Sequence, residues 1–307
     1  ESDGSLKLVP NVLAEHKEEA NEFTINSDLC NEQGMLERII VGNYILGRDV
    51  LIVVSSKRIR SMHVEEVRRI LHSLIGLGIV EETPRKIVLQ CSIDPVKFQI
   101  DMLMRRLCVI ASTIHTEAAE ALVKFDPELA KDAISREDEA DMMYWLAMRL
   151  LLSAQRVRST AKKIGLEDPL QVLYIGLVLR YLELIADHAT NIARNVVELQ
   201  KYKDKISKRV IERISNISEL THTVFQKAVK CFFTGDMEIA NSVLEMRKAI
   251  KAEDETLMKE LPEVPHLRCI TVGLTRIADS GADIAVIAIN RALEKSNKMC
   301  SAHCKEV

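Results

Sequence analysis

The segment ELIADHATNIA at residues 183–193 has a near copy, TRIADSGADIA, at residues 275–285. Both segments place an aspartate directly after Ile-Ala, and both place a second side chain with a carbonyl oxygen four residues later. Upstream, DPELA at residues 126–130 is matched by DMEIA at residues 236–240. Matching segments in the same order indicate an internal duplication, in which each copy is one supersecondary unit.

Long stretches with the apolar period of amphipathic helices dominate from Asp94 onward. Asp126 and Asp236 stand at the start of two of these stretches, where aspartate is a preferred N-capping residue. Short connections make consecutive helices antiparallel, so the pattern predicts six helices in two tandem three-helix bundles. We assign the first bundle to residues 94–202 and the second to residues 203–298.

The part of the chain before the bundles has the shorter periods of a small α/β domain, which we assign to residues 20–92. Alternating or β-branched runs predict four strands, at residues 22–27, 49–55, 78–82 and 86–92. Helical spacing predicts two helices, at residues 36–46 and 63–77. The predicted fold class is therefore mainly α, a tandem repeat of two three-helix bundles preceded by a small α/β domain.

The composition excludes several functional classes. The 307 residues are 28% charged with a formal net charge of −3, so the whole chain lacks the basic field of a nucleic-acid-binding protein. The longest apolar stretch, residues 172–179, is too short to cross a membrane. Seven dispersed cysteines indicate reduced thiols in a cytoplasmic protein. The sequence contains no glycine-rich phosphate loop and no Ser/His/Asp order that would indicate an enzyme.

Oxygen-bearing side chains form rows on two neighbouring predicted helices. Glu183, Asp187 and Asn191 lie at i, i+4 and i+8 and therefore share a helix face. Glu137 and Asp141 share a face of the preceding helix in the same way. Carboxylates gathered closely repel one another, and a multivalent cation with carboxylate and amide ligands relieves that repulsion. The alternative is a solvated acidic face that is paired with lysine and arginine.

These motifs resemble the paired Glu/Asp-x-x-x-Asp signature of PhoU, the family of phosphate-uptake regulators, over about residues 94–298. The resemblance implies a non-enzymatic regulator that holds a metal, iron or zinc, on the surface of its bundles. A helical metalloenzyme would instead need inward-facing Glu-x-x-His pairs, which do not accompany these acids. Six residues carry over by position to the first metal site: Glu137, Asp138, Asp141, Glu183, Asp187 and Asn191.

The second repeat departs from the acidic pattern. Three of its positions that correspond to acids of the first repeat hold cations: Arg247, Lys248 and Lys251. Thr275 stands at the position equivalent to Glu183. We expect the cations to neutralise the two remaining acids, Asp279 and Asp283, so that the second site is degenerate and salt-bridged.

Residues 1–19 resemble the last hairpin and linker of an AbrB-like domain, as in archaeal PhoU-like regulators. The chain begins at Glu1 without an initiator methionine, so we expect most of that domain to precede it. The tail, residues 299–307, has soft-ligand spacing at Cys300, His303 and Cys304, which we interpret as a frayed end.

The resemblance implies a cytoplasmic homodimer that regulates phosphate uptake. Its partners would be a phosphate transporter, the components that signal to that transporter, or the transcriptional machinery. Two alternatives stay open. The first is a DNA-binding transcriptional regulator that contacts DNA through the missing N-terminal domain, while the PhoU-like part senses and dimerises. The second is a helical scaffold without metal.

Overall fold

The computed structural model describes three stretches of the chain: residues 21–156, 158–166 and 168–294. The chain forms two compact units, which divide between Asp94 and Pro95. The predicted hairpin at residues 1–19 lies outside the described residues, as does the tail at 299–307 with its Cys300, His303 and Cys304.

The first unit is a four-stranded sheet with two helices. Its elements are β1 (Glu22–Asn26), α1 (Met35–Ile45), β2 (Val50–Val54), α2 (Ser61–Leu71), β3 (Leu77–Thr83) and β4 (Lys86–Cys91). The strand order is β1-β2-β4-β3, in which β1 and β2 are parallel and β4 is antiparallel to both of its neighbours. Leu51 and Val53 alternate with more exposed residues of β2 and are fully buried, so one face of this strand belongs to the core of the unit.

The helix predicted to end at residue 77 ends earlier, at Leu71. The chain then turns at Gly76, whose φ of +77° lies in the left-handed region that favours glycine. A Cβ at Gly76 would stand 2.4 Å from Cγ1 of Ile93. The apolar residues that extended the helical period belong to this turn and to β3, and Leu74 in the turn is buried.

The described part of the second unit consists of helices and the turns between them. Its helices are α3 (Ile100–Lys124), α4 (Pro127–Ser135), α5 (Glu137–Arg156), α6 (Arg158–Lys163), α7 (Pro169–Leu199), α8 (Lys208–Thr234), α9 (Met237–Leu257) and α10 (Pro265–Glu294). Helices α3, α5 and α7 pack together as the first bundle, and α8, α9 and α10 as the second. The predicted fold class is confirmed. Within the described stretches, the model shows no helix with the length and apolar character of a membrane span.

The prediction of six helices was wrong for the first bundle. Its second helix is divided into α4 and α5 at Arg136, and the short α6 follows, so the described part of this unit has eight α-helices, besides two short 3₁₀ helices. Arg136 donates to both carboxylate oxygens of Glu117 on α3, each at 2.8 Å. The break gives α5 a first turn of three acids, Glu137, Asp138 and Glu139, at the end of the helix where the macrodipole favours negative charge.

The capping predictions for Asp126 and Asp236 are confirmed. Each aspartate accepts hydrogen bonds from two backbone N–H groups in the first turn of its helix, α4 or α9, at 2.9–3.2 Å. Such bonds satisfy donors that have no partner within the helix. The two caps mark equivalent points of the duplicated bundles.

Helices α7 and α10 lie side by side and join the two bundles. Gly273 of α10 stands opposite Ile192 of α7, and a Cβ on this glycine would come within 2.8 Å of Cγ1 of Ile192. Tyr181 of α7 meets Asp283 of α10 further along, so the two helices run antiparallel. This close contact brings the acidic segments of both repeats onto neighbouring helices.

Candidate metal centre

Three carboxylates from α5 and α7 converge in the first bundle. Asp141 lies on α5, while Glu183 and Asp187 lie one turn apart on α7. One carboxylate oxygen from each residue lies within 4.8 Å of the others. Glu183 is 8% exposed, and the two aspartates are half-buried. We call these three residues the acidic triad. Three oxygen donors at this spacing fit a multivalent cation.

Electrostatic repulsion is concentrated at the acidic triad. Burial is the largest cause that raises the pKa of Asp141, to about 6, and the charges of Asp187 and Glu137 add to it. The pKa of Glu183 rises to about 7, chiefly through burial and then through the charge of Asp187. Burial and then Glu137 raise the pKa of Asp187. The site therefore favours binding of either protons or a cation.

Two arginines of α7 flank the acidic triad. Arg180 donates a hydrogen bond from Nη1 to Oε2 of Glu183, and Arg194 donates from Nη2 to Oε2 of Glu137. Both arginine side chains are about half exposed. These ion pairs neutralise part of the acidic charge, and Glu137 is held outside the triad.

Sequence reasoning found the acids and missed these two arginines. Arg180, Asp187 and Arg194 are spaced by seven residues, which places them on one face of α7. That spacing was the available signal. The row on α7 is therefore bounded by a cation at each end.

The structure groups three of the six residues that carry over from the PhoU signature. Glu137 pairs with Arg194, and Asp138 is exposed on α5. Asn191 is exposed, and its side-chain and backbone oxygens accept hydrogen bonds from Asn195 at 3.3 and 2.8 Å. The full ligand set of six stays a prediction, and the geometry favours the triad.

An arginine occupies the corresponding place in the second bundle. Arg247 of α9 donates from Nε to Oδ1 of Asp279 on α10 at 2.6 Å. Arg247 stands where the first repeat has Glu137, and Asp279 stands where it has Asp187. A carboxylate pair of the first bundle is thus replaced by an ion pair in the second.

Two of the remaining charged groups of this second site, Asp283 and Lys248, have separate partners. Tyr181 of α7 hydrogen-bonds to Asp283. Burial raises the pKa of Asp283, whereas the hydrogen bond from Tyr181 lowers it. Lys248 pairs with Glu245 at 2.7 Å, and Lys251 is exposed on α9. The cation that the structure places against an α10 aspartate is therefore Arg247.

A cluster of histidines and serines lies where α3 meets α8. His115 Nε2 is 2.8 Å from Ser218 Oγ, and His222 Nε2 is 2.8 Å from Ser112 Oγ. The two imidazole rings meet edge to face with centroids 5.4 Å apart. Burial, and then the neighbouring His222, lower the pKa of the fully buried His115 to about 3. This junction between the bundles is therefore built from neutral imidazoles.

The first bundle matches a known protein family: residues 104–196 match the PhoU domain. The matched residues include all of α5 and nearly all of α7, so they contain the whole acidic triad. The predicted resemblance to PhoU is confirmed there, while the archaeal, AbrB-like version of it stays a prediction.

Two solved structures share the fold. The crystal structure of PhoU from Pseudomonas aeruginosa aligns with a TM-score of 0.57 at 20% identity, over 64% of this chain and 96% of that one. The phosphate transport system regulatory protein PhoU from Streptococcus pneumoniae aligns with a TM-score of 0.50 at 18% identity, over 66% of this chain and 96% of that one. At these identities the likeness shows the fold alone. A search of curated proteins found no match.

Proposed function

We propose that this protein is a non-enzymatic regulator of phosphate uptake that binds a metal ion at the acidic triad of Asp141, Glu183 and Asp187. The observation that carries the proposal is the convergence of these carboxylates within the residues that match the PhoU domain. The relative from Streptococcus pneumoniae is described as a regulatory protein of the phosphate transport system. We infer that this chain acts in the same kind of system.

The donor set limits the chemistry that the metal supplies. Three carboxylate oxygens suit a divalent or trivalent cation, and we propose iron or zinc because these are the metals that the PhoU resemblance implies. The bound metal would neutralise the mutual repulsion of the triad and fix α5 against α7. Carboxylates bind metals in their ionised form, so binding must displace the protons that the raised pKa values retain. The proposed role is structural and regulatory.

The wider organisation is part of the same proposal. We infer that residues 94–202 and 203–298 are the two copies of a duplicated bundle, and that residues 20–92 form a separate α/β domain. The protein acts as a cytoplasmic homodimer whose helical surface contacts a phosphate transporter or its signalling components. Regulation of transcription would require an AbrB-like DNA-binding domain, so it stays a prediction.

A metal-free scaffold is the second candidate, and one observation favours it. Arg180 and Arg194 already pair with acids beside the triad. In this alternative the arginines alone balance the acidic charge, and the helical surface works without a bound ion.

Metal analysis of the purified full chain separates the two candidates. We expect one metal ion per chain after reconstitution with iron or zinc, and loss of that ion in the double variant Glu183→Gln/Asp187→Asn. The matched control is Asp279→Asn/Asp283→Asn, which removes the corresponding α10 acids and should leave the occupancy unchanged. A chain that binds no metal, or equal occupancy in the triad variant, refutes the metal site.

The regulatory part needs a cellular measurement. Deletion of the gene in the source organism should change the rate of phosphate uptake, and the wild-type chain should restore it. The metal proposal expects the Glu183→Gln/Asp187→Asn variant to fail in that rescue, whereas the scaffold expects full rescue. An uptake rate that does not respond to the deletion contradicts regulation of phosphate uptake.

A further inference from the structure

Arg180 reaches the acidic triad from its solvent-exposed rim. Its guanidinium donates to Glu183, whose side chain is 11% exposed, whereas the Arg180 side chain is 52% exposed. The same guanidinium hydrogen-bonds to Tyr144 on α5. A long side chain at the rim can withdraw into water at little cost, because its charge is already partly solvated. Glu183, in contrast, is fixed in the helix interface.

The ion pair from Arg180 occupies an oxygen that a metal would need. Oε2 of Glu183 accepts the hydrogen bond from Arg180. Arg194 pairs with Glu137, which lies outside the triad. Among the described residues, Arg180 is therefore the cation that an ion pair places directly on a triad carboxylate.

In the second bundle an arginine pairs directly with an aspartate of α10. Arg247 lies against Asp279 in the position where the first bundle keeps a carboxylate. Thr275 there replaces the glutamate that Arg180 contacts in the first bundle. The two halves of the chain thus use arginine in different ways: the second has it on α9, at the position equivalent to Glu137, and the first has it on α7, at the rim of the acidic triad.

We propose that Arg180 competes with the metal ion for Glu183 and thereby sets the affinity of the acidic triad; this inference rests on the metal site proposed above. Metal binding displaces the guanidinium from Glu183, and Tyr144 retains a hydrogen-bonding partner for it at the rim. Arg180 acts as an internal counter-ion that keeps the empty site folded and lowers its affinity for metal.

The test is the dissociation constant for Zn²⁺, measured on the full chain against a chromophoric chelator. We expect Arg180→Gln to bind Zn²⁺ about three- to fivefold more tightly than wild type, because a half-exposed ion pair no longer has to be broken. Arg180→Lys retains the charge and should bind nearly like wild type. Arg194→Gln is the matched control, with an effect of less than about twofold.

Salt concentration gives a second measurement that a purely structural role would not change. An ion pair at the rim is screened by salt, so the advantage of Arg180→Gln should shrink toward about twofold near 1 M NaCl. Weaker or unchanged Zn²⁺ binding in Arg180→Gln overturns the inference. If wild type binds Zn²⁺ through Glu183 and Asp187 while Arg180→Gln has the same dissociation constant, only the inference on Arg180 is refuted. If neither protein binds Zn²⁺, the proposed metal site is refuted as well.

Discussion

Replacement of Asp141 by asparagine should stabilise the metal-free protein at alkaline pH. Asp141 is half-buried on α5, and its pKa is raised from 3.8 to about 6, first by burial and then by neighbouring carboxylates. The folded chain therefore holds this proton more tightly than the unfolded chain does. The contribution to stability is fully present below about pH 4 and is lost as the pH rises through about 6. Asparagine carries no charge and avoids that loss.

The size of the effect follows from the two pKa values. The difference between 3.8 and about 6 for Asp141 corresponds to roughly 3 kcal/mol in the free energy of unfolding at pH 8. Because the carboxyl is only partly buried, solvent screening reduces this to about 1–2 kcal/mol. For a helical unit of this length, such a gain raises the unfolding temperature by about 2–6 °C. At pH 4 the gain should be near zero.

The assay is thermal unfolding of the chelator-treated full chain, followed by circular dichroism at pH 4, 6 and 8. Asp138→Asn is the control, because Asp138 lies on the same helix and is exposed outside the triad. With saturating metal the wild type should be the more stable protein, because the metal stabilises only the chain that binds it. An Asp141→Asn protein that is less stable than wild type at pH 8 without metal, or equally stabilised at pH 4 and pH 8, refutes this account of the triad.

Two further predictions concern the junctions between the bundles. In a urea titration, Gly273→Ala should lower the free energy of unfolding by about 1–3 kcal/mol, because the added Cβ would overlap α7. This cost should exceed the gain from the better helix propensity of alanine. Gly176→Ala is the control: its Cβ meets only ordinary contacts, so the change should be neutral or stabilising. Ser218→Ala removes the hydroxyl at 2.8 Å from buried His115 and should cost about 1–3 kcal/mol. Ser215→Ala in the same groove should change the urea midpoint little, and equal effects of the two serine variants would contradict the importance of that hydrogen bond.

The helical fold could be predicted from the sequence because the sequence signals for helices are local and repeated. Asp126 and Asp236 cap equivalent helices, and both act through bonds to their own first turns. The division of the first bundle's second helix had no such signal. No glycine or proline marks Arg136, and the neighbouring tertiary contact is an ion pair to Glu117, nineteen residues earlier on α3. Contacts of that kind are invisible to periodicity, so the number of helices was wrong while the fold class was confirmed.

The acidic triad was predictable in part for a related reason. Spacing along one helix identifies which carboxylates share a face, and this placed Glu183 and Asp187 together. Spacing cannot give the rotation of α5 relative to α7, so it did not separate Asp141, which joins the triad, from Glu137, which turns to Arg194. The choice between these two acids depends on packing between helices.

The two bundles show how a duplicated acidic site can diverge. A site of several carboxylates is unstable without a counter-charge, and a chain can supply that charge either from a bound ion or from its own side chains. In the second bundle Arg247 supplies it from a neighbouring helix, at the position equivalent to Glu137. In the first bundle Arg180 supplies it from the same helix and from the rim, where it can be displaced. An arginine at the position equivalent to Glu137 therefore gives the second bundle a counter-charge from its own chain, whereas the arginine of the first bundle stands at the rim of the acidic triad.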